Sequence, residues 1–196
     1  MKKVYFKKII FIILFLILCG CTASSVTSMA GNAIFSEKGF KASVNDAYIF
    51  SQVKAKITSI KLTNLSNVGV HVSSGKVLLV GILDSSFERL EIIKSAWSVP
   101  DVIEVFNEIR IGQEYTMLER SNDLFLEAKI RSKLLLDSLV LTNNYSLQVL
   151  KKDLFIIGIS RSIEEKNRLY KVLREVDEIN KIVNFVVLKN QSLISK

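Results

Sequence analysis

The chain contains an apolar stretch that occurs twice, at residues 77–83 and again at residues 154–160. Odd and even positions are both apolar in each stretch, a pattern that predicts a strand buried on both faces. A glycine lies late in each stretch, Gly81 in the first and Gly158 in the second. Glycine inside a strand indicates a bulge or a close approach by a helix.

The distance between the two glycines, 158 − 81 = 77 residues, also aligns the flanking sequence without a gap. It places Asp46 on Asp123 and Asn107 on Asn184, and it superposes apolar positions along the whole of both stretches. An ungapped match of this length indicates a tandem duplication of one module.

The duplication divides most of the chain into two predicted domains. The first covers residues 46–111, the second covers residues 123–188, and residues 112–122 form the linker between them. Modules of roughly 65 residues bury too little surface to be more than marginally stable alone. We therefore expect each copy to gain stability from its neighbour.

The hydrophobic periodicity of each module predicts the order helix, strand, strand, helix, strand. Apolar residues recur at every fourth position from Ile49 to Ile57, as on one side of an amphipathic helix. Alternating valines from Val68 to Val72 lead into a Ser-Ser-Gly-Lys turn, which predicts a hairpin with the apolar strand. A Ser-x-x-Glu capping box then begins a second helix. The predicted fold class is α+β, each module having a three-stranded sheet with two helices on one face.

The second face of each predicted sheet needs another cover, because the two helices cover only one side. A contiguous apolar patch is seldom left exposed to water. We therefore expect the second faces to pack against each other or against a partner. Their residues are Leu78, Val80 and Ile82 in the first copy and Phe155, Ile157 and Ile159 in the second.

The amino-terminal residues have the pattern of a secretory signal peptide. A basic segment, residues 1–8, precedes an unbroken apolar run, residues 9–18, which is too short to span a bilayer. The run ends in Leu18-Cys19-Gly20-Cys21, which resembles the lipobox of bacterial lipoproteins. The resemblance implies that residues 1–20 are removed and that the Cys21 thiol takes a diacylglycerol. Its freed amine would usually take a third acyl chain, palmitate for example.

The residues that follow Cys21 indicate how the protein is held at its membrane. Residues 21–45 are rich in Ser, Ala and Gly and predict a flexible tether, and residues 189–196 predict a polar tail. In bacterial lipoproteins, Asp after the modified cysteine usually means retention in the inner membrane, and this chain has Thr22 there. The resemblance therefore implies a lipid anchor in the outer membrane, with the protein facing the periplasm.

The net charge of the chain and its lack of catalytic motifs limit the classes of function that the protein can have. The chain has 27 basic and 19 acidic residues, and removing the four lysines of residues 1–8 leaves 27 − 4 = 23 basic residues and a net charge of 23 − 19 = +4. This mild excess does not indicate nucleic acid, but it permits a weak attraction to anionic lipid. His71 is the only histidine and has no cysteine nearby, so no metal site is predicted. The absence of a Ser/His/Asp set or a phosphate loop argues against an enzyme, a cofactor or a small-molecule substrate.

The order of elements, the strand glycines and an asparagine motif in the third strand together resemble the BON domain. The motif is Val105-Phe106-Asn107 in the first copy and Ile182-Val183-Asn184 in the second. Two copies behind a lipobox resemble the dual-BON outer-membrane lipoproteins of Gram-negative bacteria. The structural motif residues that the resemblance implies are Gly81, Asn107, Gly158 and Asn184.

The chain departs from the BON pattern at two kinds of turn. BON domains usually have glycine in the turn after the second helix, where this chain has Asp101 and Glu178. Because Asp adopts a left-handed backbone more readily than Glu, we expect the second of these turns to be rebuilt. Lys152 also replaces the hairpin glycine that Gly75 provides in the first copy.

The resemblance implies a role in envelope integrity and binding to anionic phospholipid. In dual-BON lipoproteins an aromatic near the start of the second domain's first helix makes the contact, and Phe125 occupies that position here. The residues themselves predict a core stripe on this helix and, on another side, an aromatic and a leucine flanked by lysines, which suit an anionic bilayer surface. The predicted lipid-binding residues are Leu124, Phe125, Lys129, Lys133 and Leu136.

Two alternatives remain open from the sequence. Phe125 could cap the core of its domain, with the lysines simply solvated. The protein could also be an interaction scaffold or adaptor for outer-membrane assembly or protease regulation in the periplasm, with envelope assembly proteins as its partners.

Overall fold

The computed structural model describes residues 40–112 and 116–189, apart from the side chains of residues 40, 41 and 65. The predicted signal peptide, Cys21, most of the predicted tether and the tail beyond residue 189 lie outside this part of the chain. A compact unit, Ser36–Lys196, contains both modules and every core residue of the described ranges. None of the helices in the described ranges combines the length and the apolar character needed to cross a bilayer.

The two modules have the same succession of elements. The first contains α1 (Phe40–Ile60), a short α2 (Asn64–Asn67), β1 (Val68–Ser73), β2 (Lys76–Leu83), α3 (Ser86–Trp97) and β3 (Glu104–Ile111). The second contains α4 (Met117–Leu136), a single 3-10 turn (Thr142–Asn144), β4 (Tyr145–Leu150), β5 (Asp153–Ser160), α5 (Ile163–Arg174) and β6 (Lys181–Leu188). Each strand lies 77 residues after its counterpart, so the duplication inferred from the sequence is also a structural repeat.

Each module is built around its second strand. β2 pairs antiparallel with β1 and parallel with β3, and β5 pairs in the same way with β4 and β6. Side chains on one face of the central strand pack against the two long helices. In the first module, Val77, Leu79 and Leu83 belong to the same core cluster as residues of α1 and α3. The predicted α+β class, a three-stranded sheet and two long helices per module, is confirmed within the described residues.

The other faces of the two sheets pack against each other, as predicted. They form an inter-module cluster, separate from the two module cores, of six buried residues: Leu78, Val80, Ile82, Leu150, Phe155 and Ile157. At its margin Phe106 stacks on Phe185 with 4.3 Å between ring centroids. Arg110 lies over the ring of Phe155 and donates a hydrogen bond to Asp153 of the second module. Ile159 is buried but lies outside this cluster.

The strand glycines are explained by a close backbone approach. A Cβ added to Gly81 would lie 2.2 Å from the Asn67 carbonyl oxygen, and one added to Gly158 would lie 2.4 Å from the Asn144 carbonyl oxygen. The strand pairing continues without interruption through both glycines. The approach of α2 or of the equivalent 3-10 turn, and not a bulge, therefore requires glycine here.

A buried aspartate holds the hairpin turn of each module. The Asp46 carboxylate accepts hydrogen bonds from the backbone N–H groups of residues 74–75, at 2.8 and 2.9 Å. Asp123 accepts the equivalent pair from residues 151–152, at 2.5 and 3.0 Å. All four turn residues have positive φ, as a tight hairpin requires, including Lys152 at 63°. The turn geometry therefore survives the replacement of glycine by lysine.

The turns after the second helices differ, as the sequence predicted. Asp101 has the left-handed φ of 65° that glycine adopts readily, whereas Glu178 is not among the described residues with positive φ. The second turn is therefore rebuilt around Glu178.

Both leading helices begin earlier than the sequence analysis placed them. α1 starts at Phe40 and α4 starts at Met117, so the ends of the predicted tether and linker are helical. Thr116 and Glu119 form a complete capping box at the start of α4, with each side chain bonded to the other's backbone N–H. The start of α4 is therefore set by residues that are neighbours in the sequence, and not by tertiary packing.

Replacing Phe155 with alanine should destabilise both modules together. The side chain is fully buried in the inter-module cluster, and truncating a buried Phe costs about 3–5 kcal/mol. Trp97, the only tryptophan of the chain, lies on α3, so its fluorescence reports on the first module. The denaturation midpoint measured by Trp97 fluorescence should therefore fall. An unchanged Trp97 midpoint beside a lower midpoint by circular dichroism would show instead that the modules unfold independently.

Candidate functional site

The outward side of α4 carries an uncharged apolar surface. Its six large apolar side chains are between 62% and 86% exposed: Met117, Leu118, Leu124, Phe125, Leu135 and Leu136. Helical periodicity places Ser121, Ala128 and Ser132 between them on the same side. We call these nine residues the α4 outer face. Exposed apolar surface of this extent on one helix is typical of a site that contacts a partner or a membrane.

The opposite side of α4 holds the helix in place. Leu126, Ile130 and Leu134 are at most 6% exposed and belong to the core of the second module. Asp123 is also buried on this side, where it holds the hairpin. Packing against the core of the second module therefore holds α4 in place, and the outer face points away from that core.

Lys129 and Lys133 lie at the border of the outer face and reach toward the end of α5. Lys129 forms an ion pair with Glu178, and its hydrogen bond holds the pKa of that carboxyl below its usual range. Lys133 donates a hydrogen bond of 3.1 Å to the backbone carbonyl of Glu175. Of the five predicted lipid-binding residues, Leu124, Phe125 and Leu136 therefore share the outer face, while the two lysines are engaged by the neighbouring turn.

The first module does not repeat this surface at four of its positions. The positions on α1 that match Leu124, Phe125, Leu135 and Leu136 are occupied by Ala47, Tyr48, Thr58 and Ser59. Tyr48, 47% exposed, is the only large side chain among these four. The two copies have thus kept the same fold and diverged on this helix.

Sequence reasoning missed three of the six large apolar residues of the outer face: Met117, Leu118 and Leu135. The first two fell in the segment assigned to the linker, although the Thr116-x-x-Glu119 capping box marks the start of the helix before them. Leu135 was missed because only the stripe through Phe125 was followed along the helix.

The only histidine of the chain, His71, joins the two modules. Its Nε2 lies 2.8 Å from Gln148 Oε1, and its Nδ1 lies 2.8 Å from Ser146 Oγ. The neutral ring satisfies both contacts when Nε2–H donates to Gln148 and Nδ1 accepts from the Ser146 hydroxyl. Gly69 leaves the space for this contact, since a Cβ there would lie 1.8 Å from Gln148 Oε1. These contacts between the modules give His71 a structural role. Within the described residues, no group of three or more His, Cys, Asp or Glu side chains could hold a metal ion.

The fold and these residues agree with a comparison to known families. A family model for the BON domain matches residues 45–113 and residues 122–190, well over half of the chain. The chain belongs to the BON domain family. BON domains are in general binding modules and not enzymes, and they are associated with phospholipid and envelope binding. The resemblance seen in the strand glycines and the asparagine motif is thereby confirmed.

Two related proteins are similar to this dual-BON chain over much of its length. One is described as "Uncharacterized protein in gshII 5'region" of Anaplasma centrale, 28% identical over 151 residues that cover 76% of this chain and 99% of the relative. The other is the 21 kDa hemolysin of Actinobacillus pleuropneumoniae, 27% identical over 126 residues that cover 64% of each protein.

Two solved structures of CdsD, a structural protein of the type III secretion system of Chlamydia trachomatis, also resemble the chain. They are 15% and 13% identical to it and cover 70% and 72% of it, or 61% and 64% of their own chains. Their TM-scores are 0.29 and 0.28, values too low to relate the arrangement or the function of the proteins.

Acidification should weaken the packing of the two BON domains through His71. Burial lowers the pKa of His71 below its ordinary 6.5, against the opposing effect of the hydrogen bond that the ring donates to Gln148. The unfolded chain therefore takes up the proton first, so the histidine's contribution is fully present above about pH 6.5 and is lost as the pH falls below it. The free energy of unfolding, measured with denaturant from about pH 8 to pH 5, should fall by no more than about 1.4 kcal/mol per pH unit for this one proton.

The matched variant is His71→Gln, which cannot titrate in this range. It should flatten the profile between about pH 6.5 and pH 5 while leaving any steeper loss below about pH 4.5, where carboxyl groups titrate. A pH profile identical to that of the unchanged chain would exclude coupling between His71 protonation and stability.

Proposed function

We propose that the protein is an envelope lipoprotein whose second BON domain binds an anionic phospholipid surface and so supports outer-membrane integrity. The α4 outer face carries the proposal, because it presents six large apolar side chains with no charged residue among them. A helix with one side of this kind lies in the plane of the bilayer interface, with its apolar residues in the headgroup and acyl boundary. Phe125, 76% exposed, is the aromatic that enters first.

The α4 outer face is large enough only for weak binding to a membrane, and such binding is effective when a lipid anchor holds the protein at that membrane. Full burial of one large apolar side chain contributes about 1.5–3 kcal/mol. Each of the six side chains of the outer face gains only part of this free energy when it inserts at a membrane interface. A lipid anchor on Cys21 would keep the domains near the same membrane and raise their effective concentration there. In the sequence, residues 21–39 separate Cys21 from the start of α1.

Localisation follows from the amino-terminal motif and belongs to the same proposal. Leu18-Cys19-Gly20-Cys21 after a short apolar run supports removal of residues 1–20 and lipidation of Cys21. Thr22 supports sorting to the outer membrane, where the domains would face the periplasm. The association of BON domains with envelope binding supports this placement.

Phe125→Glu should abolish binding of the compact unit, Ser36–Lys196, to vesicles of phosphatidylglycerol or cardiolipin. The loss of one inserted aromatic and the repulsion of the new carboxylate by the anionic surface together weaken binding by about tenfold or more. The fold should be unaffected, because the side chain is already exposed to water. Co-sedimentation measures the binding, and circular dichroism checks the fold.

Tyr48→Glu is the matched control, since Tyr48 occupies the equivalent position in the first BON domain. It adds the same charge and should leave vesicle binding within about twofold of the unchanged chain. Equal binding by the unchanged chain and Phe125→Glu would favour the other reading of the outer face, a docking surface for an envelope assembly or protease-regulating protein.

Cys21→Ser should release the protein from the membrane fraction. Two or more acyl chains hold a protein durably, at about 0.8 kcal/mol per buried methylene, whereas the α4 outer face alone binds weakly. Intact-mass measurement of the native protein should show the added diacylglycerol and acyl groups on Cys21. A mature chain that begins with an unmodified Cys21 would rule out the anchor.

A further inference from the structure

Most cations of the second BON domain already have a partner in the fold. Within the described residues, the side chains of Lys129, Arg131, Arg161 and Arg168 form ion pairs, and those of Lys133 and Lys166 donate to backbone carbonyls. Lys171 and Arg174, on the exposed side of α5, have neither an ion pair nor a side-chain hydrogen bond in this part of the chain. These two charges are therefore available to a ligand.

Lys171 and Arg174 line a shallow groove of about 490 Å³ that is open to solvent along α5, together with Asn167, Tyr170 and Glu175. The Tyr170 hydroxyl is protonated at neutral pH, like any phenol, and can donate a hydrogen bond; burial raises its pKa further. The groove thus combines an ammonium, a guanidinium, a phenol and an amide, all hydrogen-bond donors, with a single carboxylate. Phosphate oxygens are strong acceptors that pair well with this set, above all with the planar guanidinium.

The donor set is a feature of the second copy alone. The matching positions of the first BON domain are Leu90, Ile93, Lys94, Trp97 and Ser98. The one cation among them, Lys94, lies 3.6 Å from Glu91. The groove of the second copy is therefore lined by polar residues at positions where the first copy is largely apolar. A helix surface that only has to face water would not need this difference.

The groove adjoins the helix that carries the outer face. Glu175 lines the groove and its backbone carbonyl accepts the hydrogen bond from Lys133 of α4. One turn further along, Arg168 of α5 pairs with Asp137 at the end of α4, so the two helices run antiparallel side by side. A headgroup held on α5 would accordingly belong to a lipid beside the outer face.

We propose that the α5 groove binds the phosphate group of an anionic lipid headgroup, with Lys171 and Arg174 as its charged ligands. This inference rests on the proposed function for the source of the phosphate. It assigns the headgroup to α5, and it leaves to α4 the contact with the apolar part of the bilayer. A free phosphate ester offers the same chemistry, and the test separates the two sources.

The test compares Lys171→Ala/Arg174→Ala with Lys56→Ala/Lys94→Ala, a double variant that removes the same charge from the first BON domain. Binding of Ser36–Lys196 to phosphatidylglycerol vesicles should weaken about 10- to 30-fold in the α5 variant, since each cation at an anionic surface contributes about fivefold. The first-domain variant should bind within about twofold of the unchanged chain. Unchanged vesicle binding by the α5 variant would overturn the inference and leave the proposed membrane function standing.

A second arm uses glycerol phosphate in solution, with backbone amide resonances as the readout. Shifts at residues 167–175 that are absent in the α5 variant would establish a phosphate site. If they occur without any vesicle binding, the ligand is a free phosphate ester, and the proposed membrane function fails while the site stands. Absence of both these shifts and vesicle binding would overturn the site as well.

Discussion

The structure depends on the fact that both faces of the central strands are apolar. The helices of each BON domain cover one face of β2 or β5, and the other face has only the neighbouring sheet to exclude water. Burial of Leu78, Phe155 and their neighbours therefore joins two modules, each marginal in size, into one compact unit. Polar contacts at the edge give this apolar contact its register: His71 with Gln148, and Arg110 with Asp153. His71 and Gln148 are themselves 77 residues apart, so equivalent positions of the two copies meet.

The same repeat also protects the edges of the sheets. At the free edge of β3, the Ile109 N–H donates to the Asn107 side chain and the Ile109 carbonyl accepts from Arg89. On β6, Val186 is held in the same way by Asn184 and Lys166. An unpaired strand edge is a template for pairing with another chain, and giving its backbone groups side-chain partners blocks that pairing. The asparagine of the BON motif therefore has a physical role at the edge of each sheet, where it satisfies a backbone donor two residues ahead.

The sequence was sufficient for the fold because the fold follows from periodicity and from repetition. Strands with two apolar faces, hairpin turns and capping boxes are local signals. Each of them occurs in both copies of the module, at an offset of 77 residues, so each prediction could be made twice. The sequence also predicted part of the apolar half of the candidate site, since Phe125 and Leu136 had to lie away from the core stripe of α4. It could not show which cations are already engaged. Lys129 and Lys133 looked available along the helix, but their partners, Glu178 and the Glu175 carbonyl, approach across a helix pair that only the tertiary structure brings together.

The replaced turn glycine connects these observations. Where the first BON domain keeps a left-handed backbone at Asp101, the second has Glu178 in a rebuilt turn. A glycine there would carry no charge, and Lys129 would stand beside the α4 outer face as a free cation. With glutamate in its place the lysine is paired, whereas Lys171 and Arg174 on α5 form no ion pair within the described residues. The residue in this turn therefore decides whether Lys129 has an ion-pair partner, without altering the core that both helices share.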